Sequence, residues 1–489
     1  MSDPYVHDSH FIDGAWRRAR SDELVDIVDP ATEEIVARVP AATTEETDEA
    51  IRAAHRAFHE GPWPWMSPAE RGAILQRFAQ ELLARKDELI DVTIAETGAL
   101  IGLANGLQVA LPIEYAFRYA DMARNFDAVS HAAISGNPFD DSPAGRQTHV
   151  VQKAPAGVVS IITPFNYPVL LAVNKGFPAL VAGCTVVLKP TPTTSWHAIV
   201  FAEAAAAAGV PDGVFNVLLG GGPEVGEVMA SHPGVDVVSF TGSTATGRRV
   251  MELASRTVKK PILELGGKSP NILFADADIE SWWLTDPGLL RHCGQGCGQL
   301  TRLLVERPVY DEVVDRLAER MRSIVVGPPR DPTTEQGPLV SRRQYDRVMG
   351  YIESGKAEGA RLVVGGGRAP GFDKGFYVEP TLFADVDNSM TIAQEEIFGP
   401  VPVVIPFEGE GEAVRIANDS PFGLNGGVWS RDLDKAWRVA GRVRAGSFGV
   451  NTMANVVKGP HGGFKQSGIG REYWKWGIEE YVEYRGFYS

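Results

Sequence analysis

Residues 292–302 read HCGQGCGQLTR, with Cys293 and Cys297 four positions apart and His292 beside the first. Thiols so placed admit three chemistries: a metal site, a redox pair, or a single nucleophile. A closed zinc site needs further ligands, yet the one other cysteine, Cys184, lies inside an apolar run, and adjacent side chains rarely reach one ion. We therefore expect no metal. The redox reading calls for C-x-x-C, which this spacing is not. A nucleophile calls for one reactive thiol with donors near its target. Cys297 fits that reading, because Gly296 and Gly298 flank it and leave room for a backbone N–H to approach a substrate oxygen. Two further stretches supply partners. LELGGKSPN (263–271) ends an apolar run at Glu264, where a carboxylate could act as a general base. TPFNYP (163–168) holds Asn166 between two prolines and two aromatics, where its amide could stabilise an oxyanion. Taken singly, each also has an ordinary reading: an inert buried thiol, a salt-bridged glutamate, a turn asparagine.

These residues need strands to carry them. GVVSIITPF (157–165), GCTVVLKP (183–190), VFNVLLGGG (214–222) and VDVVSFTGS (235–243) are short β-rich runs. Helical stretches such as HAIVFAEAAAAAGV (197–210) separate them. That alternation predicts βαβ units and a parallel sheet, whose ligands bind beyond the C-terminal strand ends. SFTGSTATGRRVMELA (239–254) reads as strand, glycine turn and helix, with Gly242 and Gly247 turning the chain tightly and a helix N-terminus suited to phosphate. Its spacing meets neither the dinucleotide fingerprint nor the P-loop, so an ordinary strand-to-helix loop stays open. A second α/β region is expected to begin at PILELGG (261–267) and NILFA (271–275) and to continue through DEVVDRLAERM (311–321) and RLVVGGG (361–367). Residues 43–59 and 67–85 read as packing helices, the latter capped by Ser67 with Pro68 in first position. The aromatic tail EEYVEYRGFYS (479–489) reads as a strand at an oligomer edge, with the polar segment 128–155 in the same role.

Bulk composition narrows the function classes. A chain of 489 residues exceeds one ordinary core and implies two or three domains. Forty-seven basic against 62 acidic residues give a net charge of −15, with no long basic run, which disfavours nucleic acid as a partner. No signal peptide and no apolar run long enough for a membrane span are apparent. Three cysteines make no disulfide framework and fit a reducing cytoplasm.

TPFNYP, VVLKP, FTGSTATG, LELGGKSPN, GQGC, QEEIFGPV and FGLNGGVW occur in that order over nearly the whole chain. Together they resemble the aldehyde dehydrogenase superfamily of NAD(P)-dependent enzymes, in its hydrolytic, non-acylating form. The resemblance implies a Rossmann-like cofactor domain (1–127 and 151–263), an α/β catalytic domain (264–465) and a small β oligomerisation domain (128–150 and 478–489). It implies oxidation of a small-molecule aldehyde to an acid by a homodimer or homotetramer, through a thiohemiacetal and a thioester. By the same resemblance Cys297 is the nucleophile, Glu264 activates water, and Asn166 holds the oxyanion. Thr163, Pro164, Phe165, Lys189, Gly242, Ser243, Leu265, Glu396 and Phe398 are implied to meet the cofactor. Tyr167, Arg291 and His461 are expected near the substrate. Cys293 holds no catalytic position and reads as a packing residue, or as one able to form an oxidised pair with Cys297. A non-catalytic binding or structural relative and a thiol-dependent esterase are the competing readings.

Three departures from the family pattern matter. Many relatives place a glutamate where LKPTPTTS has Pro192, so NAD is expected with NADP open. In IESWWLTDPGLLRHC (279–293), Trp282, Trp283, Pro287 and Gly288 are expected to interrupt the usual helix, which starts anew at Pro287 with Asp286 as cap. His461 stands where many relatives have phenylalanine and, with Arg291, predicts a more polar mouth.

Overall fold

The computed structural model describes residues 3–126, 129–135, 146–284, 289–452 and 459–488. Five strands form the parallel heart of the first sheet: β1 (Val158–Thr163), β2 (Thr185–Pro190), Phe215–Val217, β3 (Val237–Thr241) and β4 (Lys260–Glu264). Both faces of this sheet are covered, and β2 and β3 are buried at every position. That is why their sequences are continuous Val/Ile/Leu runs rather than alternating ones. In space the order is β4, β3, β1, β2, then Phe215–Val217, with antiparallel strands outside at both edges. The chain thus builds outward in one direction from β1 and in the other from β3. Between those two strands lies the switch point where open α/β sheets bind ligands.

Register aligns the ends of the strands. Thr163 pairs with Pro190, and Thr241 with Glu264. After β1 the chain enters helix α1 (Pro168–Ala182), with Pro168 in its first turn and Gly183 closing it at φ 95°. After β3 it enters α2 (Thr244–Ser255), whose N-cap Ser243 accepts from the Thr246 N–H. Gly242 and Gly247, expected to let the chain turn tightly, do so without left-handed backbone. They provide space instead: a Cβ on Gly242 would lie 2.5 Å from the Phe240 ring, and one on Gly247 2.5 Å from Leu265.

PILELGG also differs from expectation. Its strand, β4, is the last parallel member of the first sheet, paired with β3 over five residues, and does not begin the second. The second sheet starts with β5 (Pro270–Leu273), flanked by the parallel strands Arg302–Glu306 and Gly427–Trp429. Glu264 and the two glycines after it therefore occupy the crossing from one sheet to the other. The third sheet joins Val482–Tyr488 to Arg146–Pro155, and the latter to Val129–Ser135, all antiparallel. The middle strand runs on to Pro155, so the expected split at 150 falls inside it.

Helix α3 (Ile279–Leu284) passes through Trp282 and Trp283 without interruption. Trp282 is 1% exposed and belongs to the core under the second sheet, with Leu273, Leu303 and Tyr310. The restart at Pro287 with its Asp286 cap, and Gly288, lie outside the described residues. Ser67 and Glu70 form the predicted cap of the helix Pro68–Ala84. No helix among the described residues is long and apolar enough to cross a membrane.

A buried ion pair ties the C-terminal segment to the first core. Lys175 on α1 lies 2.6 Å from Glu472 and 3.2 Å from the Ser239 hydroxyl of β3. Glu472 in turn exchanges both backbone hydrogen bonds with His461. Replacing Lys175 by Met leaves a buried carboxylate uncompensated, and we expect a loss of about 3–5 kcal/mol, read as a lower denaturant midpoint. The double change Lys175→Met with Glu472→Leu should recover most of it; a double variant no better than the single one would show that the pair's charges are not the cause.

Candidate active site

The C-terminal ends of β1, β2, β3 and β4 open into one cleft of about 920 Å³. Every residue singled out from the sequence for catalysis, cofactor or substrate lines it, from Thr163 to His461. The second sheet closes its far side with the segments around Cys297 and Glu396.

Cys297 sits on the loop that leads into the strand Arg302–Glu306. The approach to it is bent. His292 and Cys293 have φ of 52° and 54°, and Gly294 follows at 74°. A Cβ at Gly294 would come within 2.0 Å of the Gly399 carbonyl oxygen, so only glycine passes there. Left-handed backbone at residues other than glycine costs about 1–3 kcal/mol each and persists where the surroundings enforce it. Gln295 enforces it here: its side chain donates to the His292 carbonyl at 3.1 Å and accepts from the Val340 N–H at 3.0 Å.

Asn166 is held from two sides. Its Nδ2 donates to the Gln295 carbonyl at 3.0 Å, which fixes the amide nitrogen on the Cys297 side and leaves its second N–H available. The Gln108 amide donates to the Asn166 carbonyl at 2.9 Å. Gln108 lies in a π-helical segment, Ala104–Ala110, whose wider turn marks many functional sites.

Glu264 is 3% exposed, and among the described residues its Oε1 has one charged neighbour. His461 Nε2 lies 3.1 Å from that oxygen. Burial raises the Cys297 thiol above its ordinary pKa, a hydrogen bond from His461 opposes this, and the nearby Glu264 charge adds to it. Burial alone would lower His461, but the Glu264 charge and hydrogen bonds to Cys297 and Glu264 outweigh it and hold the imidazole well above the usual histidine range.

The other half of the cleft suits a dinucleotide. Lys189, at the end of β2, is 5% exposed; among the described residues its ammonium meets only the Pro190 carbonyl, at 3.4 Å, and burial pushes it down to about 8. Glu396 accepts from the Gly267 N–H at 3.0 Å, and burial pushes its carboxyl up to about 7. A buried ammonium and a half-buried carboxyl with so few partners among the described residues are the donor and acceptor that two riboses could satisfy. The amide of Gln344 donates to the Phe398 carbonyl at 2.9 Å, and Arg347 donates to that of Glu396 at 2.7 Å. These bonds hold Phe398 at φ 62°, its ring edge-on to Phe165 at 5.7 Å. Pro192, in place of a carboxylate, opens a tight turn just beyond Lys189.

On the substrate side, Tyr167 packs against His292 at 5.6 Å, and Arg291 is exposed at the rim with no ion pair among the described residues. Leu107, Leu111, Tyr115, Leu170 and Leu171 also line this wall. Sequence reading missed them, along with Gln108 and Gln344. The leucines are an ordinary helical stripe in sequence, and nothing local tells that the stripe faces a cleft rather than a core. Cys293 is 1% exposed and packs in the core of the second sheet, as a packing residue should.

Comparison with known proteins decides what this cleft belongs to. Residues 16–486 match the profile of the aldehyde dehydrogenase family. The chain belongs to the aldehyde dehydrogenase family. The enzyme is 42% identical over 483 residues to a geranial dehydrogenase of Castellaniella defragrans, covering 99% of this chain and 98% of the other. It is 39% identical to a chloroplastic betaine aldehyde dehydrogenase of Beta vulgaris over 494 residues, covering 99% and 96%. Its fold matches the crystal structure of a Mycobacterium tuberculosis aldehyde dehydrogenase complexed with NAD+, with a TM-score of 0.94 at 40% identity, covering 99% and 98%. The family's reaction, oxidation of an aldehyde to a carboxylic acid, is the enzyme's class of chemistry.

Proposed function

We propose that the enzyme oxidises an aldehyde to its acid with NAD, using Cys297 as nucleophile, Asn166 as oxyanion donor and Glu264 as the base for water. The observation that carries this reading is the convergence of all three on one cleft whose other half presents Lys189, Glu396 and the α2 N-terminus. The Cys297 thiolate attacks the carbonyl, and the oxyanion of the thiohemiacetal is met by the free Asn166 N–H and the Cys297 backbone N–H. Bound NAD supplies the hydride acceptor. Lys189 and Glu396 would hold its riboses, Gly242 and Ser243 would meet its pyrophosphate, Thr163, Pro164, Phe165 and Leu265 would line its site, and Phe398 would lie toward its nicotinamide. Glu264 then takes a proton from water as that water attacks the thioester, and the acid leaves.

The leucines and Tyr167 favour an aldehyde with an apolar body. Arg291, exposed at the rim with no ion pair among the described residues, works against a cationic group there. Steady-state assays, followed by absorbance of the reduced cofactor, should rank apolar or anionic aldehydes above a trimethylammonium aldehyde in kcat/KM, with NAD above NADP. A preference for the cationic aldehyde would overturn the substrate reading, and turnover without either cofactor would favour an esterase.

The two large sheets and the small antiparallel sheet support a division into a cofactor domain (1–127 and 151–263), a catalytic domain (264–465) and an oligomerisation domain (128–150 and 478–489). Val482–Tyr488 is an edge strand with Tyr484 and Phe487 exposed, a surface a second subunit would cover. Light scattering should give the mass of a homodimer or homotetramer, and a monomer at micromolar concentration would remove that role. Three free cysteines fit a reducing, cytoplasmic setting.

A further inference from the structure

Glu264, Cys297 and His461 come from three separate elements: the end of β4, the loop before Arg302–Glu306, and the segment that pairs His461 with Glu472. Each offers one donor atom, and the three donors lie within 4.8 Å of one another. Two features distinguish this grouping from a chance contact. Glu264 is 3% exposed, and among the described residues its Oε1 faces His461 Nε2 at 3.1 Å, so the carboxylate is turned toward the other members of the group and not into a separate ion pair. His461 is held by the paired backbone bonds to Glu472, which the buried Lys175 anchors, so the imidazole is presented rather than loose.

Sulfur, imidazole nitrogen and carboxylate oxygen are the donor types that bind zinc, at about 2.3, 2.0 and 2.0 Å respectively. Tetrahedral donors at those lengths stand about 3.3–3.6 Å apart, close to the 3.1 Å between His461 Nε2 and Glu264 Oε1. A thiolate and a carboxylate together balance a divalent cation, with a neutral imidazole as third ligand. The cleft leaves a fourth position open.

We propose that Glu264, Cys297 and His461 form a three-donor site for a thiophilic divalent cation such as Zn2+, whose binding reversibly blocks the nucleophile. Binding converts the thiol to a metal-bound thiolate and releases its proton, with any proton on His461. No redox step is involved, and a chelator restores the free thiol. The blocking rests on the proposed role of Cys297, whereas the site itself does not.

The test uses the full chain and two metals. Co2+ alone should give a thiolate-to-cobalt charge-transfer band in the wild type, absent in Cys297→Ser and lost or strongly reduced in both His461→Phe and His461→Gln. Titration calorimetry with Zn2+ should show one ion per chain, bound about ten-fold or more tightly than by either His461 variant. Retained NAD binding checks that the variants are folded. Zn2+ should inhibit turnover, and EDTA should reverse it. No charge-transfer band in the wild type, or equal Zn2+ affinity in both His461 variants, would overturn the site. Bound metal with undiminished turnover would overturn the blocking. If no aldehyde is turned over, the optical and calorimetric readouts still decide the site, so its failure is separable from that of the proposed reaction.

Discussion

Cys297→Ser should lower aldehyde-dependent reduction of NAD by on the order of 10⁴–10⁶ in kcat, while NAD binding and the thermal midpoint stay near those of the wild type. The magnitude follows from loss of the covalent route: removing the nucleophile of an acyl-transfer site costs roughly this much. Serine fits the space, but its hydroxyl ionises far less readily than a thiol. The site is built around sulfur. His461 hydrogen-bonds it, and the Gly296–Gly298 flank leaves its backbone N–H free to meet the oxyanion. Rapid-mixing absorbance measures the first turnover directly. A first turnover as fast as the wild type's would remove Cys297 from the reaction.

The second large effect is expected at Glu264. Glu264→Gln keeps the shape of a side chain that is 3% exposed and removes its basicity. The general-base contribution is about 10²–10⁴ in the hydrolytic step. In the proposed reaction attack by Cys297 and reduction of NAD precede that step, so the variant should release about one equivalent of reduced cofactor per active site in a burst and then nearly stop. Mass spectrometry of the quenched protein should find the acyl group on Cys297. A slow reaction with no burst would place Glu264 before the thioester rather than after it. His461 bears on the same experiment. It lies 3.1 Å from Glu264, so the removed charge also releases the imidazole from its elevated pKa. A burst rate less affected than the steady-state rate would separate the two roles.

Much of this enzyme was legible before any coordinates, for identifiable reasons. A strand buried on both faces must be a continuous apolar run, so VVSIIT, TVVLKP and VVSFT declare themselves, and βαβ alternation then fixes a parallel sheet with ligands at its C-terminal ends. Caps are local chemistry, so Ser67 and Pro68 could be placed from sequence. Asn166, Glu264 and Cys297 stood out because each sits at the end of such a run or between glycines. What sequence could not fix was set by packing at a distance. Whether β4 closes the first sheet or opens the second depends on a partner strand, not on its own residues. Trp282 and Trp283 look disruptive in a helix, yet burial of Trp282 in the second core makes the helix Ile279–Leu284 favourable. Gln108 reaches Asn166 across 58 residues of chain, and no local pattern announces that. His461 read as a polar residue at a mouth; only the tertiary structure brings it against both Glu264 and Cys297, because three loops from different sheets converge there. The sequence by itself determined the strands, which rest on local pattern, and, through its ordered family motifs, the class of chemistry; it marked Cys297 as the candidate nucleophile. The tertiary structure alone decided which polar groups share a buried site, because desolvation and charge at 3–5 Å arise from chain segments hundreds of residues apart.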